Sequence, residues 1–408
     1  VSPTKQVVAE ADNQASGEVA QQPARTAFVA LALGLCLAPA IAIGFGRFAY
    51  ALILPAMRAD LRWTYSQAGG LNTANALGYL LGALLAAPLI VRLSARRALI
   101  GGLFAVVAAL ALSSLASVYG VALLARAVVG LAGAVVFIAG AGLSARLGAT
   151  EADNALAMGL YFSGPGVGTV LSGIALPPLL SGAGVAQWRL AWLALAGVGL
   201  LGTVAIVLAS RPLADSPGTG AASAVAARPE WKALGFCLAA YFGFGLGYIA
   251  YMTFLIAYMR AHGASTGIVI AVWTTLGVAM TLSGPLWRYP LARWRGGRPM
   301  ALMLALAAAG ALLPLLAGAL PILLLSATLF GIAAMAVITA VTVLIRRHLP
   351  IAAWNLAIAV ATVIFAVGQS LGPLGSGLLS DHYGLRASLV WTTAISLVAA
   401  ILALGQKD

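Results

Sequence analysis

The chain has 408 residues, of which 62% are hydrophobic and 8% charged, with a formal net charge of +13. A soluble domain averages about 45–50% apolar and about 25% charged residues, so a soluble enzyme, a disordered chain and a disulfide-built fold are all excluded. The apolar residues come in runs of about 20 residues, the length that crosses a bilayer as a helix. Cys36 and Cys237 lie inside such runs and read as small apolar residues.

Residues 1–26 are small and polar and read as a disordered cytoplasmic tail. The next apolar run is too long for the core of a cleaved signal and reads as the first membrane span. Twelve spans are predicted, at about 27–57, 67–90, 98–117, 120–143, 156–180, 189–210, 233–257, 267–287, 300–318, 321–345, 354–379 and 388–405. Each must be helical, because lipid offers the backbone no hydrogen-bond partner. Residues 211–232, rich in Pro, Gly, Ser and Ala, read as a cytoplasmic linker between an N-terminal six-helix bundle, 27–210, and a C-terminal one, 233–405. The expected fold is an all-α integral membrane protein of twelve transmembrane helices in two pseudo-symmetric six-helix bundles.

Orientation follows from the basic residues. With the N-terminus inside, sixteen Lys and Arg fall on the cytoplasmic side, and only Arg58, Arg62, Arg189, Arg260 and Arg386 fall outside. That bias places both termini in the cytoplasm and accounts for the basic charge without nucleic acid.

The halves repeat. Gly44-Phe45-Gly46 in span one matches Gly243-Phe244-Gly245 in span seven, and Leu77-Gly78 in span two matches Leu276-Gly277 in span eight at the same offset. Gly164-Pro165 in span five matches Gly372-Pro373 in span eleven. Repeated halves about a midplane site are the architecture of a secondary transporter.

Three motifs then carry a family resemblance. Arg126-Ala-Val-Val-Gly130 followed by Gly133 is similar to motif B of the major facilitator superfamily, and Gly164-Pro165-Gly166-Val167-Gly168 is similar to its motif C, which the family associates with antiporters. The stretches Gly44–Tyr50, Pro55–Arg58 and Leu71–Tyr79 resemble the YbfB/YjiJ-like subgroup. The resemblance spans about 27–405 and implies the major facilitator fold, alternating access and no stated substrate. Motif A departs from the pattern: Arg92 stands where an acid is expected and Ala95 where a glycine is expected.

Only Arg47 and Arg126 are ionisable residues well inside predicted spans; the acids and the three histidines lie in tails, loops or span ends. Burying an Arg mid-membrane costs roughly 2.5–3.5 kcal/mol on insertion scales and marks a functional position. Arg47 lies ~15 Å from its span end at 1.5 Å per residue, beyond the reach of a snorkelling side chain. Arg126 lies ~9 Å deep and has two readings, an anion site or a helix–helix brace to backbone carbonyls or to Asn72 and Asn75. The expected substrate-binding set is Arg47, Arg126, Asn75, Gln369, Tyr241, Tyr248 and Trp273, for which helix packing is the competing reading of the aromatics. Gly130, Gly164, Pro165, Gly168, Gly372 and Pro373 form the expected conformational set, since proline removes a backbone bond and glycine lets helices approach.

The expected function is secondary transport of a small organic anion held by intramembrane arginine. The alternatives are an antiporting exporter of amphipathic, drug-like compounds and a receptor on a transporter scaffold. No enzyme constellation, metal or cofactor is expected. The expected partners are a small-molecule substrate, a coupling ion or exchanged solute and the lipid bilayer, with no nucleic acid. The chain is expected to act as a monomer in a bacterial inner membrane.

Overall fold

A computed structural model describes residues 25–148, 150–182, 187–211 and 231–407. Most of the expected tail and linker lies outside these residues. The described residues form twelve membrane-length helices and no strand. The first, α1, has an α-helical part Arg25–Pro39, a π-helical part Ala40–Phe48 and an α-helical part Tyr50–Leu61. It is followed by α2 (Tyr65–Leu93), α3 (Ala95–Ser114), α4 (Tyr119–Ser144), α5 (Glu151–Leu180) and α6 (Gln187–Ala209). After a 3-10 turn at Trp231–Leu234 come α7 (Gly235–Ala261), α8 (Thr266–Arg293), α9 (Arg298–Leu316), α10 (Leu320–His348), α11 (Ile351–Tyr383) and α12 (Arg386–Leu404).

Several helices run past the apolar stretch that predicts them, because their polar ends find partners. In α1, the Asp60 carboxylate accepts from Trp188 Nε1 at 2.7 Å, and the Arg58 guanidinium lies 3.7 Å over the Tyr65 ring. His348 and His382, expected in loops, close α10 and α11 as part of the last turn. Side-chain caps fix the starts: Thr64 and Gln67 form a capping box on α2, and Thr150 and Ser265 cap α5 and α8.

Helices α1–α6 form one bundle and α7–α12 the other. They meet chiefly along three seams, α2 with α11, α5 with α8, and the last part of α1 with α7, and α2 also touches α7. Since α2 repeats as α8 and α5 as α11, the first two seams are pseudo-symmetry mates. These inter-bundle contacts run from the middle of the helices to the end remote from the chain termini. Pro373 packs on Gly69, Gly377 on Tyr65, Gly166 on Gly277, and Trp273 on Gly173. The remote end is therefore closed. A cavity of about 270 Å³ remains there between α1, α5, α7 and α8, lined by Leu52, Pro55, Pro177, Leu180, Ile256 and Arg260 among others.

The expected conformational residues sit where backbones touch. A side chain at Gly168 would strike Ala40 O and Gly44 Cα of α1, and one at Gly372 would strike Leu246 of α7. These are equivalent contacts of the two halves, α5 on α1 and α11 on α7. Gly164 approaches Cys36 and Pro39, and Gly130 approaches the Asn75 carbonyl of α2. Pro165 and Pro373 lie inside helices that continue through them. Thr169 Oγ1 donates to the Pro165 carbonyl at 2.8 Å.

Candidate functional site

The π-helical segment of α1 positions the site. Its wider turn is registered by Ala49 N donating to Gly44 O, five residues back, at 2.9 Å. Pro39, without an N–H, immediately precedes it, and Gly44 is pressed against Gly168. Insertions of this kind recur at functional sites because they re-aim side chains without breaking the helix. Here the segment carries Arg47.

Arg47 is buried, and its Nη2 donates to Gln369 Oε1 of α11 at 2.6 Å, a bond from one bundle to the other. The guanidinium carbon lies 5.6 Å from the centroid of the Tyr79 ring. No other partner for this side chain is present among the described residues, and none of them offers it a carboxylate. The neighbouring Gln369 Nε2 is buried without an acceptor. The arrangement is one positive charge, held by a neutral amide, with donors left over.

Arg126 of α4 is differently placed. Its Nη1 donates to the Gly46 carbonyl, and its Nη2 to the Arg47 carbonyl at 3.4 Å and to Asn72 Oδ1 at 3.0 Å. The guanidinium also faces the rings of Tyr50 at 4.9 Å and Trp192 at 5.9 Å. It does not snorkel: it is 2% exposed and braces the π segment from below. Asn75 Nδ2 in turn donates to the Arg126 carbonyl at 3.1 Å, leaving Asn75 Oδ1 buried and unpaired.

The polar cluster continues across the seam. Asn72 Nδ2 donates to Thr253 Oγ1 of α7 at 2.6 Å, and Thr73 Oγ1 to the Ser370 carbonyl of α11 at 2.5 Å. Tyr241 and Tyr248 lie with Phe244 and Phe365 in a stack of rings between α7 and α11, beside Gln369. Trp273 is elsewhere, fully buried in the seam of α8 with Gly173 of α5, its Nε1 unpaired. The structure thus gathers Arg47, Arg126, Asn75, Gln369, Tyr241 and Tyr248 and leaves Trp273 in the α5–α8 seam.

Sequence reasoning missed Thr253, Phe244 and Phe365. The first is a small hydroxyl inside an apolar run. Phe244 was read only as part of the Gly44-Phe-Gly46 repeat, although its spacing with Tyr241 and Tyr248 puts all three on one face. Among the described residues no group of three His, Cys, Asp or Glu could hold a metal.

Twelve membrane-length helices in two repeated bundles, joined across a buried cationic cluster, define a multi-pass membrane transporter of the major facilitator type. The chain belongs to the family described as Uncharacterised MFS-type transporter YbfB, which matches residues 39–405. Among curated proteins no relative matches. Among solved structures, the fold is similar to that of a bacterial homologue of the human lysosomal transporter Spinster in an inward-facing, unoccupied conformation. The TM-score is 0.71 at 18% identity, covering 94% of this chain and 99% of that one. It is also similar to a point mutant of the nucleoside transporter NupG, with a TM-score of 0.72 at 12% identity, covering 93% and 100%.

Proposed function

We propose that the protein is a secondary transporter of a small organic anion, which binds Arg47 between the two bundles. One observation carries this reading: the Arg47 guanidinium is buried at the bundle interface with a neutral amide for its partner, so its charge is uncompensated. An intramembrane cation without a counter-ion is costly, and an arriving anion offsets that cost. A carboxylate accepts from Arg47 in place of Gln369 Oε1, and the Gln369 amide, turned about its last bond, donates to the same anion through Nε2. Binding therefore exchanges a bundle-to-bundle bond for a ligand shared by both bundles. Arg126, already committed to the π-segment carbonyls and Asn72, acts as a brace and adds to the positive field.

The remaining parts serve alternating access. Glycine contacts of α5 on α1 and of α11 on α7 make each bundle a stiff unit. The α2–α11 and α5–α8 seams close the remote end. On the distribution of Lys and Arg, both termini face the cytoplasm of a bacterial inner membrane, and the closed end faces outside. We take 27–210 and 233–405 as the two moving bundles, 1–26 and 211–232 as cytoplasmic tail and linker, and the single chain as the working unit. The reading is of a carrier and not of an enzyme, and it rests on family membership.

The cavity at the remote end, whose lining is apolar apart from Ser181 and Arg260, favours a second reading, export of amphipathic compounds. A thermal-shift screen of the purified protein separates the two, since a ligand that binds the folded state raises apparent stability. The panel holds small carboxylates, other organic anions, amphipathic cations and neutral drugs, with Arg47→Ala beside the wild type. The anion reading expects an anion to stabilise wild type and not a folded Arg47→Ala. Stabilisation by cations or neutral compounds alone, equal in both proteins, overturns it in favour of export.

A further inference from the structure

The geometry points to a planar aromatic monocarboxylate as the transported anion, an inference that rests on the anion reading above. Helix α7 presents Tyr241, Phe244 and Tyr248 at i, i+3 and i+7, one face of a helix. Helix α11 adds Phe365, one turn before Gln369. The four rings form a slab. Tyr241 and Phe365 stack at 4.7 Å and 9°, and Phe244 and Tyr248 at 4.9 Å and 18°. Phe365 lies 5.7 Å from both Phe244 and Tyr248, at 15° and 21°. Near-parallel rings on two helices require those helices to be held in register. That is supplied at Gly245, where a Cβ would lie 2.7 Å from the Phe365 carbonyl and 3.0 Å from Gln369 N.

The slab adjoins the charge. Phe365 and Gln369 are four residues apart on one face of the helix, about 6 Å along its axis, and Gln369 holds Arg47 at 2.6 Å. Tyr79 faces Arg47 from α2. The hydroxyls of Tyr79, Tyr241 and Tyr248 have no hydrogen-bond partner among the described residues, and none is among the fully enclosed unpaired atoms. The site is then one guanidinium, a free amide N–H and three phenol hydroxyls beside a buried stack of near-parallel rings, which a further flat ring would extend by inserting among them.

These features select within the anions. A second carboxylate meets no second cation with a free pair of donors, because Nη1 and Nη2 of Arg126 are directed to the Gly46 and Arg47 carbonyls and to Asn72, leaving only its enclosed Nε unpaired. A monocarboxylate is therefore preferred over a dicarboxylate. The body of the ligand must lie against aromatic rings, which favours a planar ring that can stack over a saturated ring of the same carbon number. A ring hydroxyl would find the free phenols.

The test is calorimetric titration of the purified full chain with benzoate, cyclohexanecarboxylate, succinate and butyrate, on wild type, Phe365→Leu and Tyr241→Leu. Benzoate is expected to bind roughly three- to tenfold tighter than cyclohexanecarboxylate, the range aromatic pairing adds beyond area burial. Succinate is expected to bind more weakly than benzoate. The benzoate advantage is expected to vanish in whichever leucine variant folds, with cyclohexanecarboxylate affinity retained. Equal binding of benzoate and cyclohexanecarboxylate to wild type, or tighter binding of succinate, overturns the aromatic class and leaves the anion reading intact. Binding of none of the four anions counts against both.

Discussion

The carboxylate of Asp381, in the last turn of α11, accepts hydrogen bonds from the backbone N–H of Tyr65 at 2.6 Å and of Ser66 at 3.0 Å, at the start of α2. A residue of one bundle thus caps a helix of the other, where unpaired N–H groups and the positive end of the helix dipole favour an anion. This places an acid at the remote closure and none at Arg47. Asp381→Ala is expected to weaken the closure by about 1 kcal/mol, the usual worth of an N-cap, or about fivefold in the closed-to-open ratio. A cysteine placed at Leu180, lining the remote cavity, reports it. Its rate of modification by a membrane-impermeant thiol reagent should rise several-fold in the Asp381→Ala background, and an unchanged rate would remove Asp381 from the gate.

Arg47 and Arg126 should respond oppositely to loss of charge. Arg47→Met removes a buried, uncompensated cation whose insertion costs roughly 2.5–3.5 kcal/mol. The variant is expected to melt at or above the wild-type temperature and to show no stabilisation by any anion. A lower melting temperature with retained anion response would contradict the assignment of Arg47 as the ligand-binding charge.

Arg126→Met leaves the carbonyls of Gly46 and Arg47 and the Asn72 amide oxygen without their donor. An unsatisfied buried acceptor costs about 1–3 kcal/mol. A clear drop in melting temperature and in folded yield is expected, measured by fluorescence-detected size-exclusion chromatography after heating. A variant as stable as wild type would show that Arg126 is not a brace.

Gln369→Glu places a carboxylate of the same shape against Arg47. It should act as a tethered substrate, so that exogenous anions no longer shift stability and uptake into proteoliposomes falls to background while the folded yield is kept. Persistent transport would mean that the anion does not compete with residue 369 for the guanidinium.

The spans were legible because the bilayer imposes both the length and the helix. Arg47 was legible as a lone charge in an apolar run, and Gln369 as a polar residue beside a Gly-Pro pair. Their pairing was not, since the two lie 322 residues apart and nothing in either local pattern specifies the other. The π turn was hidden for a different reason. In a run that is apolar on every side, no change of periodicity marks one extra residue per turn. The Thr64-x-x-Gln67 capping box was available in the sequence and places the start of α2. The cap that Asp381 adds from α11 needed the fold. Two readings of Arg126 were open on sequence, and its bonds to the Gly46 and Arg47 carbonyls and to Asn72 are contacts that the brace reading named by type.

The lack of a carboxylate beside Arg47 also has an electrical side. A membrane potential acts on net charge at about 2.3 kcal/mol per elementary charge per 100 mV. A bound monoanion cancels the charge of Arg47 and leaves that of Arg126, so the loaded site carries one positive charge and the empty site two. Voltage therefore acts more strongly on the return of the unloaded carrier. An inside-negative potential holds the vacant site toward the cytoplasm, and exchange of one anion for another, in which the site never returns empty, is expected to depend less on voltage than net uptake does.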